Sequence, residues 1–478
     1  MKMIICGKEV DASDKTTINI VNPYTEKVID TVPNATEKDV DTAVKAANKA
    51  LKNWAGVPVT KKVEILKKFL ALVDKNKSNL AMTLCKETGK PITQAIAEIG
   101  NIKIGFESFM EKAKHLYSDV IPFGQEAGND KTLQFTLREP VGVIAAIIPF
   151  NFPCDLFDQK VAPSLLAGNT VVIKPPHQNP LTLIKLTTLL HQAGIPKNVV
   201  HVVTGEGAKS GNALASHPLV HKITFTGSTA VGIKTFQNAA NHLAHISLEL
   251  GGNDAFIVLK DADIDLAIEE MVWGRMYNNG QVCCASKRFL IQEDIVEKFV
   301  TKAKARLKKL VVGDPTEKAT EISCLVTEQA AKRVEEQIKK VITQGGTLVC
   351  GGKRKGAYIA PTIISNIPKT ADVATDDEIF GPVVSIIPFK TVEEAIEIAN
   401  SSKYGLSGCV FTNDIKTAFN VVKKLECGGT VINGASFFRS FEMPFGGYKF
   451  SGIGTEGTLS TFDEVTKLKT ITLKNILN

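Results

Sequence analysis

No stretch of 18 uncharged apolar residues occurs in this chain, so no membrane-spanning helix is expected. The opening residues, Met1-Lys2-Met3-Ile4-Ile5-Cys6, carry a lysine but neither a long apolar run nor a cleavage site, and no signal peptide is expected. The nine cysteines are dispersed, odd in number, and never spaced as CxxC. That usage fits free thiols in a reducing cytoplasm and gives no metal-binding pattern. The eight histidines include no HExxH arrangement, so no metal is expected. Strong charge is absent too: the formal balance is only +7. Lysines such as Lys302, Lys304, Lys308 and Lys309 are scattered as solvated helix faces are, without the basic stripe or aromatic-basic module that a nucleic-acid partner requires.

What is present is an ordinary globular composition, 44% hydrophobic and 22% charged, on 478 residues, which is too long for one typical core and implies two or three domains. Helical periodicity runs from about Glu37 to Leu51, from Thr60 to Lys75, and from Ala81 to Lys114 with a break at Gly89-Lys90-Pro91. Thr132 to Arg138 alternates like an exposed strand. From Val141 onward, continuous apolar runs at Val141–Ile148, Thr170–Ile173, Val199–Val203 and Lys222–Phe225 alternate with helical stretches at 153–167, 181–193 and 208–215. Apolar runs separated by helices imply a parallel sheet covered on both faces. The alternation resumes with a strand at Ala255–Leu259, a helix from Ile264 to Tyr277 and a strand at Arg288–Ile291, so a second α/β domain is expected. Lys467 to Leu477 again alternates, and is expected to pair with the Thr132 strand in this chain or a neighbour.

Three segments carry chemistry. Cys283 lies in Asn279-Gly280-Gln281-Val282-Cys283-Cys284-Ala285, after a helix of about 14 residues. A cysteine in apolar surroundings is ordinarily a small buried hydrophobe. Here Gly280 lets the backbone bend at the helix end, and a thiolate there is a strong nucleophile for an aldehyde carbon. Glu249 stands between apolar Ile246-Ser247-Leu248 and Gly251-Gly252. Burial there raises a carboxyl pKa and suits a general base, the alternative being a solvated carboxylate before a turn. Asn151, in Pro149-Phe150-Asn151-Phe152-Pro153, is either a helix cap or an amide that donates to an oxyanion. Phe225-Thr226-Gly227-Ser228 is a turn between strand and helix of the kind that offers N–H groups to a pyrophosphate, though it lacks the GxGxxG fingerprint. Thr204-Gly205-Glu206-Gly207 is similarly placed.

Together these segments resemble the aldehyde dehydrogenase superfamily. The resemblance spans nearly the whole chain from Asn22-Pro23. It rests on the segments above with Val172-Ile173-Lys174-Pro175, Glu378-Ile379-Phe380-Gly381-Pro382 and Pro444-Phe445-Gly446-Gly447. It implies a Rossmann-like cofactor domain (1–118 and 138–249), a second α/β catalytic domain (250–450) and a small β oligomerisation arm (119–137 and 451–478). It assigns Cys283 as nucleophile, Glu249 as the base that activates the deacylating water, and Asn151 with the Cys283 backbone N–H as the oxyanion hole. Lys174 and Glu378 match residues at the cofactor riboses, Phe380 matches the residue that packs near the nicotinamide, Gly227 and Ser228 match the pyrophosphate turn, and Phe150, His177, Gly207 and Leu250 complete the implied cofactor set. The reaction implied is NAD(P)-dependent oxidation of a small aldehyde to an acid through a thiohemiacetal and a thioester, in a cytoplasmic homodimer or homotetramer.

The chain departs from the pattern in places. His177 stands where many NAD-preferring members have Glu; with Lys174 beside it, the expected preference tilts to NADP or dual use. Ser323-Cys324-Leu325-Val326 replaces a common Gly-Pro-Leu-Ile type segment, expected away from the chemistry. Arg439, in Phe437-Phe438-Arg439-Ser440-Phe441, is either an anchor for an anionic aldehyde or one half of a surface or inter-subunit ion pair. That segment looks like those of lactaldehyde and phosphonoacetaldehyde dehydrogenases, whereas Asn278–Cys283 looks closer to succinate-semialdehyde dehydrogenases. Two other readings stand beside this one. One is a CoA-acylating relative, which Glu249 argues against. The other is a non-catalytic dinucleotide-binding protein, against which Cys283, Glu249 and Asn151 argue together.

Overall fold

The structure is a computed structural model and describes residues 1–474. Five apolar strands form the parallel centre of the first sheet, in the order Val200–Val202, Thr170–Lys174, Val143–Ile147, Lys222–Thr226, His245–Glu249. In chain order this is 3-2-1-4-5, the doubly wound order whose ligand crevice opens at the carboxyl ends of the strands, where the winding reverses. Side chains on both faces of the central strands are buried, which explains their continuous apolar runs. Helices Pro153–Ala167 and Leu181–Ala193 supply the crossovers.

A second, seven-stranded sheet is parallel apart from its edge strand Thr347–Cys350, and centres on Val383–Phe389, Ser286–Gln292 and Asp254–Val258. Only Leu250 to Asn253 separates Glu249, the last residue of a first-sheet strand, from Asp254, the first of a second-sheet strand. The Gly251-Gly252 link therefore places the end of one sheet against the other. A Cβ on Gly252 would lie 2.8 Å from Leu406 Cβ and 3.1 Å from the Cys283 carbonyl oxygen.

The expected arm strand extends over Thr132–Pro140 and pairs antiparallel with Thr466–Lys474 of the same chain, from Thr466 opposite Pro140 to Lys474 opposite Thr132. The remainder of the expected C-terminal strand, to Leu477, lies outside the described residues. Before that strand, Gly452–Ile453 pairs with His245–Glu249 on the first sheet, and helix Thr458–Val465 packs on helix Pro153–Ala167. The two expected helices at 60–75 and 81–88 are one helix, Val59–Thr88, because no breaker stands between Lys75 and Ala81. It stops at Gly89, whose φ of +76° is left-handed backbone that glycine adopts at little cost. Among the described residues no helix is long and apolar enough to cross a membrane.

Candidate active site

Helix Ile264–Met276 ends in a tight turn, Tyr277–Gly280, whose Asn278, Asn279 and Gly280 all have positive φ. Asparagine and glycine tolerate that conformation best, so the Asn-Asn-Gly sequence makes the bend. The turn is pinned on every side. Asn278 Nδ2 donates to the Asn151 carbonyl at 3.0 Å, and Gln94 Oε1 accepts from the Asn278 N–H at 2.8 Å. Asn279 donates to the Cys324 carbonyl at 2.9 Å and accepts from the Ser323 N–H at 2.6 Å. Gln281 accepts from the Val326 N–H at 3.0 Å. The Ser323–Val326 segment, expected away from the chemistry, thus buttresses the cysteine loop. A Cβ on Gly280 would collide with the backbone of Gly381, so two of the recognised segments touch backbone to backbone.

Cys283 projects from this loop, partly buried. Its thiol is pulled down from 9.0 to about 7; a hydrogen bond with Cys284 contributes most, burial opposes it, and the Lys287 and Arg439 cations add to the fall. Cys284 itself is buried and pushed well above its ordinary value, mainly by its hydrogen bond to Cys283. Of the two thiols, Cys283 is the one poised to ionise near neutral pH.

Asn151 is buried at the end of the loop that follows strand Val143–Ile147. The capping position of helix Pro153–Ala167 is Phe152, and no side chain caps it, so Asn151 does not serve as the cap. Its carbonyl accepts from the Lys90 ammonium at 2.8 Å and from Asn278, while Lys90 is ion-paired with buried Glu98. Glu98 in turn accepts from the Cys154 N–H at 2.9 Å. The backbone is fixed by these bonds, and the side-chain amide takes part in none of them.

Glu249 ends its strand with both carboxyl oxygens buried and unpartnered among the described residues. Burial first and the Glu456 carboxylate second push its pKa well up, against the pull of Arg439 and Lys160. Glu456 is itself clamped by Lys160 at 2.7 Å and Arg439 at 2.9 Å. Arg439 thus pairs through one guanidinium nitrogen with a buried carboxylate of its own chain, rather than at the surface; the guanidinium also lies 4.0 Å from the centre of the Phe445 ring. Phe152, Tyr277 and Phe437 form an aromatic cluster beside Cys283, and Asp155 and Asp158 follow on the helix.

The residues assigned to a cofactor gather at the carboxyl ends of the first sheet and along its border with the second. Lys174 is buried at its strand end, donates to the Pro175 carbonyl at 2.9 Å, and is pushed down to about 8 by burial. His177 is exposed, and is lowered by partial burial and then by the Lys174 cation. Exposed Glu206 lies close enough to act on both charges. Gly207 opens a wide helical turn, Gly207–Gly211, in place of the first part of the expected helix. Gly227 donates to the Glu249 carbonyl at 3.0 Å, and a Cβ there would meet the Phe225 ring at 2.6 Å. Ser228 stands at the uncapped start of helix Thr229–Ala240. Leu250, Ile233, Phe236 and Phe450 line an open apolar cavity of 540 Å³ beside it. Glu378 lies 3.2 Å from the Lys287 ammonium, and the Phe150 and Phe380 rings meet edge-on at 5.9 Å. An apolar cavity, an uncapped helix start and a carboxylate fit the adenine, pyrophosphate and ribose of a dinucleotide.

Sequence reasoning missed Lys90, Glu98, Lys160, Glu456 and Lys287. Only Lys160, a charge at the centre of a helix buried on most sides, carried a signal.

The sequence model of the aldehyde dehydrogenase family matches residues 10–471. The chain is 38% identical to lactaldehyde dehydrogenase of Methanococcus aeolicus, over 98% of this chain and 99% of that one. It is 36% identical to the NADP(+) succinate-semialdehyde dehydrogenase of Escherichia coli, over 98% and 96%. The crystal structure of betaine aldehyde dehydrogenase from Staphylococcus aureus in complex with NAD+ superposes with a TM-score of 0.96 at 32% identity, covering 100% of this chain and 95% of that one.

Proposed function

This chain belongs to the aldehyde dehydrogenase family and is an NAD(P)-dependent oxidoreductase acting on aldehydes, and from that premise we propose that it oxidises a small anionic aldehyde through a covalent thioester on Cys283. The observation that supports the reading is the pinned Asn278–Gln281 turn that presents the partly buried Cys283, with the buried, unpartnered Glu249 carboxyl in the same site; the Cys284 hydrogen bond first, and then the Lys287 and Arg439 cations, lower the Cys283 thiol toward about 7.

Cys283 adds as thiolate to the aldehyde carbon, forming the S–C bond and leaving the oxygen as an alkoxide. The Asn151 amide and the Cys283 N–H donate to that oxygen; a fixed donor of this type is typically worth ~10²–10³ in rate. The bound cofactor supplies the hydride acceptor. Loss of hydride leaves a thioester on Cys283. Glu249 then takes a proton from water, whose oxygen attacks the acyl carbon, and the acid departs as the thiolate is restored. A base with a raised pKa suits this step. Lys174 and Glu378 hold the ribose hydroxyls, the Gly227-Ser228 turn receives the pyrophosphate and the cavity beside Leu250 takes the adenine.

Arg439 anchors the substrate's anionic end through the guanidinium donors that Glu456 leaves free, and the lactaldehyde and semialdehyde relatives fit a small polar substrate. For the cofactor, the absence of a carboxylate at His177 favours a 2′-phosphate, while Glu206 opposes one. We therefore read the site as accepting both NAD and NADP, with a tilt to NADP. Glu249 speaks against CoA as the acyl acceptor.

The test is the initial rate of cofactor reduction, with NAD and NADP in parallel, on succinic semialdehyde, lactaldehyde, glyceraldehyde 3-phosphate and an uncharged aliphatic aldehyde. The reading expects an anionic aldehyde to be preferred and Arg439→Gln to remove that preference. Equal rates on all four aldehydes, or a requirement for CoA, would overturn it.

A further inference from the structure

Strand Ser286–Gln292 starts three residues after Cys283, and its second residue is a lysine with only 1% of its side chain exposed. A buried ammonium is costly unless it is paired and hydrogen-bonded. Lys287 is both. It donates to the Cys283 carbonyl, lies 3.2 Å from Glu378 Oε1, and stands 5.9 Å from the centre of the Phe380 ring. Three parts with separate tasks therefore meet at one cation: the nucleophile's loop, the ribose carboxylate and the aromatic beside the nicotinamide. No step of the reaction above uses it.

We propose that Lys287 is a positioning residue that ties the Cys283 loop to Glu378 and so couples cofactor binding to the ionisation of the nucleophile. The inference rests on the readings of Cys283 as nucleophile and Glu378 as ribose carboxylate. Glu378 is shared: it also accepts from the Gly252 N–H at 3.4 Å, on the glycine that abuts the Cys283 carbonyl. Ribose hydroxyls donating to Glu378 draw its charge away from Lys287. The uncompensated positive charge then falls on Cys283 and favours the thiolate. By reciprocity, the thiolate form binds cofactor more tightly.

The other groups that act on Cys283 do not replace this link. Cys284 supplies a hydrogen bond from within the loop, and Arg439 is held by Glu456. Glu249 has no hydrogen-bond partner among the described residues, and Asp254 is raised by burial to about 8 despite the pull of Lys287, so neither is an ion-pair partner of that cation as Glu378 is. Glu378 is left as the carboxylate paired with Lys287.

The experiment is the pH dependence of iodoacetamide alkylation at Cys283, read on its own peptide by mass spectrometry, in the full-length enzyme with and without NAD(P). Wild type is expected to show a midpoint near 7 that falls when cofactor binds. Lys287→Met is expected to raise the midpoint by about one pH unit, abolish the cofactor-induced fall and raise the cofactor KM several-fold, with Lys287→Arg restoring all three. An unchanged midpoint and an unchanged cofactor-induced fall in Lys287→Met overturn the proposal. Should Lys287→Met not fold, Glu378→Gln must abolish the same fall, and its retention overturns the proposal equally. Turnover surviving in Cys283→Ala would instead overturn the nucleophile reading beneath it, so the two failures are distinguishable.

Discussion

At the scale of single residues, the surroundings of Cys283, Glu249 and Asn151 set what each side chain can do. Asn151 is held by its carbonyl while its amide remains outside those bonds, so Asn151→Ala should cut kcat by ~10²–10³ with little change in melting temperature. Glu249 offers a test with a definite sign. Its folded pKa is raised, so the folded state prefers the neutral acid. The stability that this group contributes is complete below its ordinary value of 4.5 and is lost as pH climbs toward the folded value. Glu249→Gln is neutral at every pH and should melt with the parent at pH 4.5 and above it at pH 8, by roughly 2–4 °C. Equal melting temperatures at pH 8 would contradict its burial as a strained carboxyl. These three candidate positions stand out in the sequence because each lies in a short segment whose chemistry is local. Their supports do not. Lys90 holds the Asn151 carbonyl from 61 residues away and is itself paired with Glu98, and nothing local in either side chain points to that arrangement.

At the scale of elements, the turn Tyr277–Gly280 decides where Cys283 points. Gly280 combines left-handed φ with a neighbour so close that a Cβ would strike the Gly381 backbone. Gly280→Ala should therefore abolish activity and lower stability by about 2–4 kcal/mol, measured by urea unfolding, since strain and overlap act together. Asn279→Ala, which leaves the Cys324 carbonyl and the Ser323 N–H unpartnered, should cost about 1–3 kcal/mol. The central strands were readable because a strand buried on both faces is a continuous apolar run. The single helix Val59–Thr88 was readable as helix, but its continuity was not. Polar residues at 74–79 cover an exposed stretch of an unbroken helix as readily as they would fill a loop. The role of Ser323–Val326 escaped for a different reason: it acts through backbone N–H and carbonyl groups, which any sequence supplies.

At the scale of the whole molecule, the two sheets meet at Gly251-Gly252, and the proposed catalytic set draws on both sides of that border. Among the described residues the arm strand Thr466–Lys474 pairs on one side only, and Leu137, Leu468 and Leu473 stand exposed along the ribbon. An open edge with exposed leucines invites a partner. Light scattering should show a dimer or tetramer, and Leu468→Asp should weaken it; a stable monomer at micromolar concentration would contradict this view of the arm. The pairing of the arm was foreseen from alternation alone. The return of Gly452–Ile453 to the first sheet was not, because two residues carry no periodicity to read.

The central claim is that Cys283 carries the acyl group. It is tested most directly by mixing Glu249→Gln with aldehyde and NAD(P) and measuring both reduced cofactor and the mass of the Cys283 peptide. The account predicts one equivalent of reduced cofactor per active site, then arrest, with the acyl mass on Cys283. Arrest without any adduct on Cys283, or undiminished steady turnover in Cys283→Ala, would contradict it.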